Sequence, residues 1–325
     1  MTMETVRLGD SGLKVSEITL GCMSFGGGSG RHSWAVGEDE SRVIIKQALD
    51  AGITTFDTAN VYSSGRSEEI TGKILGELAD RDDIVVGTKV HGEMRSGPYG
   101  HGQSRKAILA EIDNSLRRLN MDYVDLYQIH RYDAEVPMEE TMEALHDVVK
   151  AGKARYIGAS SMWTWQFQAL QNVATTNGWT PFISMQNHYN LLYREEEREM
   201  MPYCAATGVG VIPWSPLAGG RLVRDWGARG TARSELTERD PSPNDPGDQA
   251  TVERVAKIAN DHDAPRAGIA LAWMLTKPYV HSPIVGATKP EQLAEALTSV
   301  DIALSEGEIE ELEAAYEPHR IQGHQ

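Results

Sequence analysis

An aspartate and a tyrosine stand close together in Ile53-Thr-Thr-Phe-Asp57-Thr-Ala-Asn-Val-Tyr62. Lys89 closes the next apolar run, Ile84-Val-Val-Gly-Thr-Lys89, and His130 closes the one after it, Tyr123-Val-Asp-Leu-Tyr-Gln-Ile-His130. Taken singly, each has a plain structural reading: a loop acceptor, a packing aromatic, a surface lysine and a core histidine. Their shared position at the ends of successive β-like runs is what points to chemistry. In a parallel α/β barrel, the rim at the C-terminal strand ends is where reactions are carried out. A phenol titrates near pH 10, and a neighbouring ammonium favours its phenolate. Tyr62 beside Lys89 could therefore act as a general acid near neutral pH, with Asp57 holding the lysine. His130 could hydrogen-bond a substrate carbonyl and stabilise the alkoxide that develops on it.

Eight β-like runs are available to position these groups: Glu17–Leu20, Thr54–Asp57, Ile84–Lys89, Tyr123–His130, Ala154–Ala159, Phe182–Asn187, Gly208–Trp214 and Val280–Val285. Most are near-continuous apolar stretches, as strands covered on both faces require. Helical patterns alternate with them, which predicts an α/β (β/α)8 TIM barrel forming a single domain over residues 1–325. Ile108, Ile112, Leu116 and Leu119 make one helical stripe, with Ser104 placed to cap its start. Met138, Met142, Leu145 and Val149 make the next, with Gly152 at a left-handed C-cap. The acidic triplet Glu38-Asp39-Glu40 suits a helix N-terminus. Two segments break the rhythm, His91–Gln103 and Ala218–Gln249. Long loops in compact domains are commonly functional, so both are expected to wall a substrate pocket on the C-terminal rim.

The chain has 325 residues, 40% of them apolar, which is enough for a large core. Its net charge of −16, from 47 acidic and 31 basic residues, disfavours a nucleic-acid partner. An ordinary acidic enzyme explains that charge more simply than adaptation to high salt. Cys22 and Cys204 are too few and too far apart for a disulfide framework. There is no long apolar run and no signal-peptide layout, so a cytoplasmic protein without membrane segments is expected.

Other polar residues follow the later strands. Ser160, Ser161, Gln186 and Asn187 could bond both ends of a carboxamide. Trp214, in Ile212-Pro-Trp-Ser-Pro-Leu-Ala, offers a face for a heteroaromatic ring. In Ile284-Val-Gly-Ala-Thr-Lys-Pro-Glu-Gln-Leu, a helix starting near Pro290 presents free N–H groups, and Lys289 a charge, to a phosphate. The cluster Gly26-Gly-Gly-Ser-Gly30 does not lead directly into a helix and is read as a loop rather than a dinucleotide fingerprint. His91, His101 and His130 lack metal-ligand spacing, so no metal site is expected. Trp34, Tyr99 and Trp163, with Gly97 and Trp226, are candidates to line the pocket. Aromatic walls suit aryl aldehydes or sugar faces.

Taken in order, Phe56-Asp-Thr-Ala-Asn-Val-Tyr, Thr88-Lys-Val, Asp125-Leu-Tyr-Gln-Ile-His, Gly152-Lys-Ala-Arg-Tyr-Ile-Gly-Ala-Ser, Trp214-Ser-Pro-Leu and Gly286-Ala-Thr-Lys-Pro-Glu-Gln-Leu closely resemble the aldo-keto reductases. The resemblance runs from Leu8 to about Leu312. The wording of Gln128-Ile-His-Arg-Tyr-Asp is most similar to the YajO-like and versiconal hemiacetal acetate reductase-like branch. The resemblance implies a barrel that uses NADPH to reduce an aldehyde or ketone, with Asp57, Tyr62, Lys89 and His130 as its catalytic tetrad. It implies further that Ser160, Ser161 and Gln186 meet the nicotinamide carboxamide and that Trp214 stacks on its ring. Met23, Ser215, Leu217, Gly219 and Arg221 would lie along the coenzyme towards its pyrophosphate. Gly286, Thr288, Lys289, Gln292 and Glu295 would surround the adenosine 2′-phosphate. The best-studied branch has lysine and arginine where this chain has Gly286 and Gln292. Other branches with glycine and glutamine use NADPH, so NADPH stands first and NADH second, with Lys289 the nearest cation. Two other readings remain open: a Schiff-base lyase on Lys89, and a partner subunit that senses coenzyme redox state.

Overall fold

The computed structural model describes residues 3–28, 33–228 and 246–324. Thr5–Arg7 (β1) and Lys14–Ser16 (β2) pair antiparallel. Eight parallel strands follow: Thr19–Gly21 (β3), Thr55–Asp57 (β4), Val85–Val90 (β5), Val124–Ile129 (β6), Ala154–Ser160 (β7), Ser184–Gln186 (β8), Gly210–Val211 (β9) and Ile284–Gly286 (β10). Their order in the sheet is β10-β3-β4-β5-β6-β7-β8-β9. The two ends of this sheet meet, because Val211 bridges Val280 and Ile284 N donates to Pro213 O at 2.8 Å. The expected (β/α)8 barrel is therefore formed. The runs predicted over Gly208–Trp214 and Val280–Val285 give only short strands. Pro213 and Pro283 have no N–H to offer a ladder.

Helices Glu38–Asp50 (α1), Arg66–Leu78 (α2), Arg105–Leu119 (α3), Met138–Lys150 (α4) and Thr164–Asn177 (α5) alternate with the strands. Met200–Thr207 (α6), Pro246–Asp261 (α7), Arg266–Leu275 (α8), Pro290–Leu297 (α9) and Glu306–Glu313 (α10) follow. Ser104 caps α3 as expected, accepting from Ala107 N at 3.3 Å. In α4 the buried stripe uses Val148 where the sequence pattern suggested Val149. Much of the predicted loop at Ala218–Gln249, including Gly230 and the Asp-Pro-Ser-Pro-Asn-Asp stretch, lies outside the described residues, as do Ser29 and Gly30.

The β1–β2 hairpin has no counterpart in the predicted elements. Its Leu8 and Val15 are buried with Leu126, Ile212 and Ile284 at the start of the barrel. Burying a leucine side chain there stabilises the fold by about 2 kcal/mol. Ser16 N donates to Thr55 Oγ1 at 3.1 Å and pins the hairpin to β4. The hairpin plugs the N-terminal end of the barrel.

Strand alternation sets what faces inward. On β6, Leu126 joins the plug, while Tyr127 and Ile129 join the outer core under the helices. Gln128 and then His130 must follow Leu126 on the inner wall. On β5 the same rule gives Val85, Gly87 and Lys89 inside, with Val86 and Val90 outside. The inner wall thus turns from apolar to polar towards the C-terminal rim. No helix among the described residues is long and apolar enough to cross a membrane.

Candidate active site

Tyr62 sits in the turn after β4, where Ser63 and Ser64 adopt left-handed φ values of 47° and 55°. Neighbouring loops close tightly on this turn. A Cβ at Gly26 would lie 2.0 Å from Ser63 Oγ, and one at Gly92 would lie 2.7 Å from Val61 Cβ. Gly26 is therefore a packing glycine, consistent with reading its run as a loop. Strained backbone gathers on this rim. Among the described residues, Ser63, Ser64, His91, Ser161, Ser215 and Ala218 have positive φ in the segments that follow β4, β5, β7 and β9. Such conformations persist where surrounding structure enforces them, and they cluster at functional sites.

Lys89 is fully buried. Its Nζ donates to Asp57 Oδ2 at 2.5 Å, to Thr58 O at 2.9 Å and to Tyr62 Oη at 3.4 Å. Burial opposes the charge on Lys89, but Asp57 and then Tyr62 overcome it and hold the ammonium above its ordinary value. The Tyr62 ring meets His130 edge-on, with centroids 5.6 Å apart. Burial, then Lys89 and Arg131, push the His130 imidazole well below its ordinary value, so it is neutral at physiological pH. A neutral imidazole keeps one N–H to donate. The four residues singled out in the sequence are thus brought together, with a phenol between an ammonium and a neutral imidazole.

The carboxamide candidates lie beside them. Ser160 Oγ donates to Gln186 O at 2.7 Å, and Gln186 Nε2 donates to Asp57 Oδ1 at 3.0 Å. Ser161 Oγ accepts from Trp214 Nε1 at 2.9 Å. Trp214 stacks on His188, centroids 4.3 Å apart, and Tyr193 stacks on the far side of that imidazole at the same distance. Ser215 and Leu217 lead into the short helical turn Ala218–Val223, which holds Gly219 and Arg221. Arg221 Nη2 pairs with Asp248 Oδ2 at 2.6 Å.

A second group surrounds the pairing of β10 with β3, where Gly286 lies opposite Gly21. Met23 follows in the turn Cys22–Ser24. Thr288 N donates to Gln292 Oε1 at 2.9 Å, and exposed Lys289 precedes Pro290 at the start of α9. Glu295 is exposed on the same helix. Of the pocket candidates, Trp34 is half-buried, while Tyr99 and Trp163 are exposed. Lys106 Nζ lies 4.0 Å over the Tyr99 ring, and the Trp163 ring meets that of His324 at 4.8 Å.

Sequence reasoning passed over several neighbours of the site. Gln128 had a signal, being a polar residue at an inward position two residues beyond Leu126. Arg131 reaches Ser160 Oγ at 3.4 Å, and its guanidinium stands 5.8 Å from the Trp214 ring. The C-terminal tail carried no signal, because its partners are distant in sequence. Gln322 N donates to Tyr193 Oη at 2.9 Å, and a Cβ on Gly323 would lie 3.4 Å from Trp214 Cζ2.

A family profile described as the aldo/keto reductase family matches residues 17–317. The chain belongs to this family. It is 46% identical to versiconal hemiacetal acetate reductase of Aspergillus parasiticus, over 98% of each chain. An aldo-keto reductase of Fusarium vanettenii is 44% identical over 98% of this chain and 92% of its own. An aldo-keto reductase of Metarhizium robertsii is 43% identical over 99% of this chain and 93% of its own. As an aldo/keto reductase the protein is an NAD(P)H-dependent oxidoreductase that acts on small carbonyl compounds.

Proposed function

We propose that the protein reduces aldehydes or ketones with NADPH in the cytoplasm, with Tyr62 as the general acid. The observation that carries this reading is Tyr62 Oη, 3.4 Å from Lys89 Nζ and edge-on to neutral His130. His130 would donate to the carbonyl oxygen and orient it. Tyr62 would deliver its proton to that same oxygen as negative charge develops there. The Lys89 ammonium would then offset the phenolate left behind, and Asp57 would keep Lys89 in place. A nicotinamide coenzyme, when bound, supplies the hydride.

The residues present suit that coenzyme. Ser160, Ser161 and Gln186 put buried polar atoms at neighbouring strand ends, and Trp214 adds an indole face. These four would hold the nicotinamide. Met23, Ser215, Leu217, Gly219 and Arg221 would follow the chain of phosphates. Gly286, Thr288, Lys289, Gln292 and Glu295 would receive the adenosine end, with Lys289 favouring a 2′-phosphate over a bare hydroxyl. Trp34, Tyr99 and Trp163 would wall the substrate pocket. A Schiff base needs a neutral amine. The charge held on Lys89 therefore favours the reductase reading over a lyase.

NADPH absorbance followed with a reactive aryl aldehyde tests this reading. Wild type is expected to turn over, faster with NADPH than with NADH. Tyr62→Phe is expected to lose roughly 100-fold to 10,000-fold in kcat while binding NADPH as before. Coenzyme binding without turnover of any aldehyde or ketone would sink the enzymatic reading and favour a redox-sensing subunit.

A further inference from the structure

Gln128 is fully buried on the inner wall of β6. A buried carboxamide is tolerated only when its polar atoms are paired. Its Nε2 donates to Asp57 Oδ1 at 3.0 Å, and its Oε1 accepts from Gln186 Nε2 at 3.1 Å. Gln186 Nε2 also donates to Asp57 Oδ1, at 3.0 Å. Three side chains from β4, β6 and β8 thus close a ring. The neighbouring strands leave room for it. Gly158 pairs in register with Gln128, and a Cβ there would lie 3.2 Å from Gln128 Cγ and 2.4 Å from Ser184 Oγ. A Cβ at Gly87 would stand 3.4 Å from Gln128 Nε2 and 3.6 Å from Asp57 Oδ1.

The ring splits the Asp57 carboxylate between two tasks. Oδ2 faces the Lys89 ammonium at 2.5 Å, and Oδ1 faces two amide donors. The carboxylate cannot rotate without breaking one set. The amides also draw some of its charge, which leaves more of the Lys89 field for Tyr62. With Nε2 of Gln186 committed to Asp57 and Gln128, its Oε1 is the atom left to accept from the NH₂ of a carboxamide.

We infer that Gln128 is a positioning residue that fixes the Asp57 carboxylate toward Lys89 and turns the Gln186 amide so that Oε1 is offered to the coenzyme. This rests on the carbonyl-reduction reading above.

Gln128→Met keeps the length of the side chain and removes both polar atoms, while Gln128→Glu keeps its shape. The readouts are aldehyde reduction against pH, NADPH affinity by quenching of tryptophan fluorescence, and the thermal midpoint. Gln128→Met is expected to lose roughly 10-fold to 100-fold in kcat, with little change in aldehyde KM, and to bind NADPH several-fold more weakly. Gln128→Glu is expected to approach wild type at acid pH, where the glutamic acid donates to Asp57 as the amide did. Its activity should fall as pH rises and two carboxylates face each other. A folded Gln128→Met protein matching wild type in kcat and NADPH affinity overturns the inference. So does a Gln128→Glu pH profile that superimposes on that of wild type, which decides the matter if the methionine variant does not fold. If wild type reduces no carbonyl compound, the reductase reading fails, and the NADPH affinity of Gln128→Met alone decides the Gln186 half of the inference.

Discussion

Adjacent residues of strand β5, Lys89 and Thr88, face two different ion pairs, one on each side of the strand. Inside, Lys89 Nζ meets Asp57 Oδ2 at 2.5 Å. Outside, Thr88 Oγ1 donates to Glu68 Oε1 at 2.6 Å, and Arg118 Nε meets Glu68 Oε2 at 2.5 Å. Glu68 is fully buried, as Lys89 is. The outer pair continues into a chain of contacts: Arg118 reaches Glu111 at 3.6 Å, and Asn60 Nδ2 donates to that same Glu111 oxygen at 3.1 Å. It clamps α2 and α3 to the barrel. The inner pair instead has Tyr62 at its rim side, a phenol with a proton to give. Buried charge is found on both faces, so an ion pair alone does not mark a catalytic centre. What separates the two is the group that comes next.

Breaking each pair should separate rate from stability. Lys89→Met should have the largest effect, a loss of roughly 1000-fold in kcat measured on folded protein. A rate near wild type would remove Lys89 from the chemistry and erase the contrast. Arg118→Met leaves Glu68 buried without its cation, which should cost about 3 kcal/mol in urea unfolding while kcat of the folded protein stays within about twofold of wild type. A large fall in kcat with unchanged stability would mean that the outer network tunes the inner one.

The smallest effect, taken per pH unit, concerns protonation. Burial first, then Arg131, lower the His188 pKa from 6.5 to about 3. The unfolded chain takes up this proton near pH 6.5 and the folded chain does not. Stability from a neutral His188 is therefore complete above that value and is lost as pH falls towards 3, by about 1.4 kcal/mol per pH unit. His130, also lowered, acts with the same sign. His188→Phe keeps a ring beneath Trp214 and should flatten the acid decline of the urea midpoint by about one such increment. An unchanged slope would show that His188 does not carry this linkage.

Much of this was legible in the sequence, for physical reasons that differ by residue. Strands covered on both faces read as apolar runs, so β5 and β6 stood out together with the polar residues that end them. Ser104 announced α3 because a cap is a local interaction. The hairpin β1–β2 was missed because each strand has only three residues and its apolar partners lie far along the chain. Gln128 was overlooked because its work is defined by Asp57 and Gln186, which come from other strands. The left-handed Ser161 and Ser215 carry no mark, since serine does not favour that conformation by itself.

The hairpin that stoppers the barrel also decides where traffic runs. With one end sealed by Leu8 and Val15, whatever reacts beside Tyr62 must arrive and depart through a single mouth. The two ends of the described chain are then unequal. Met3 lies against Gly52 at the closed end, away from the doorway, whereas Gly323 rests against Trp214 at the threshold.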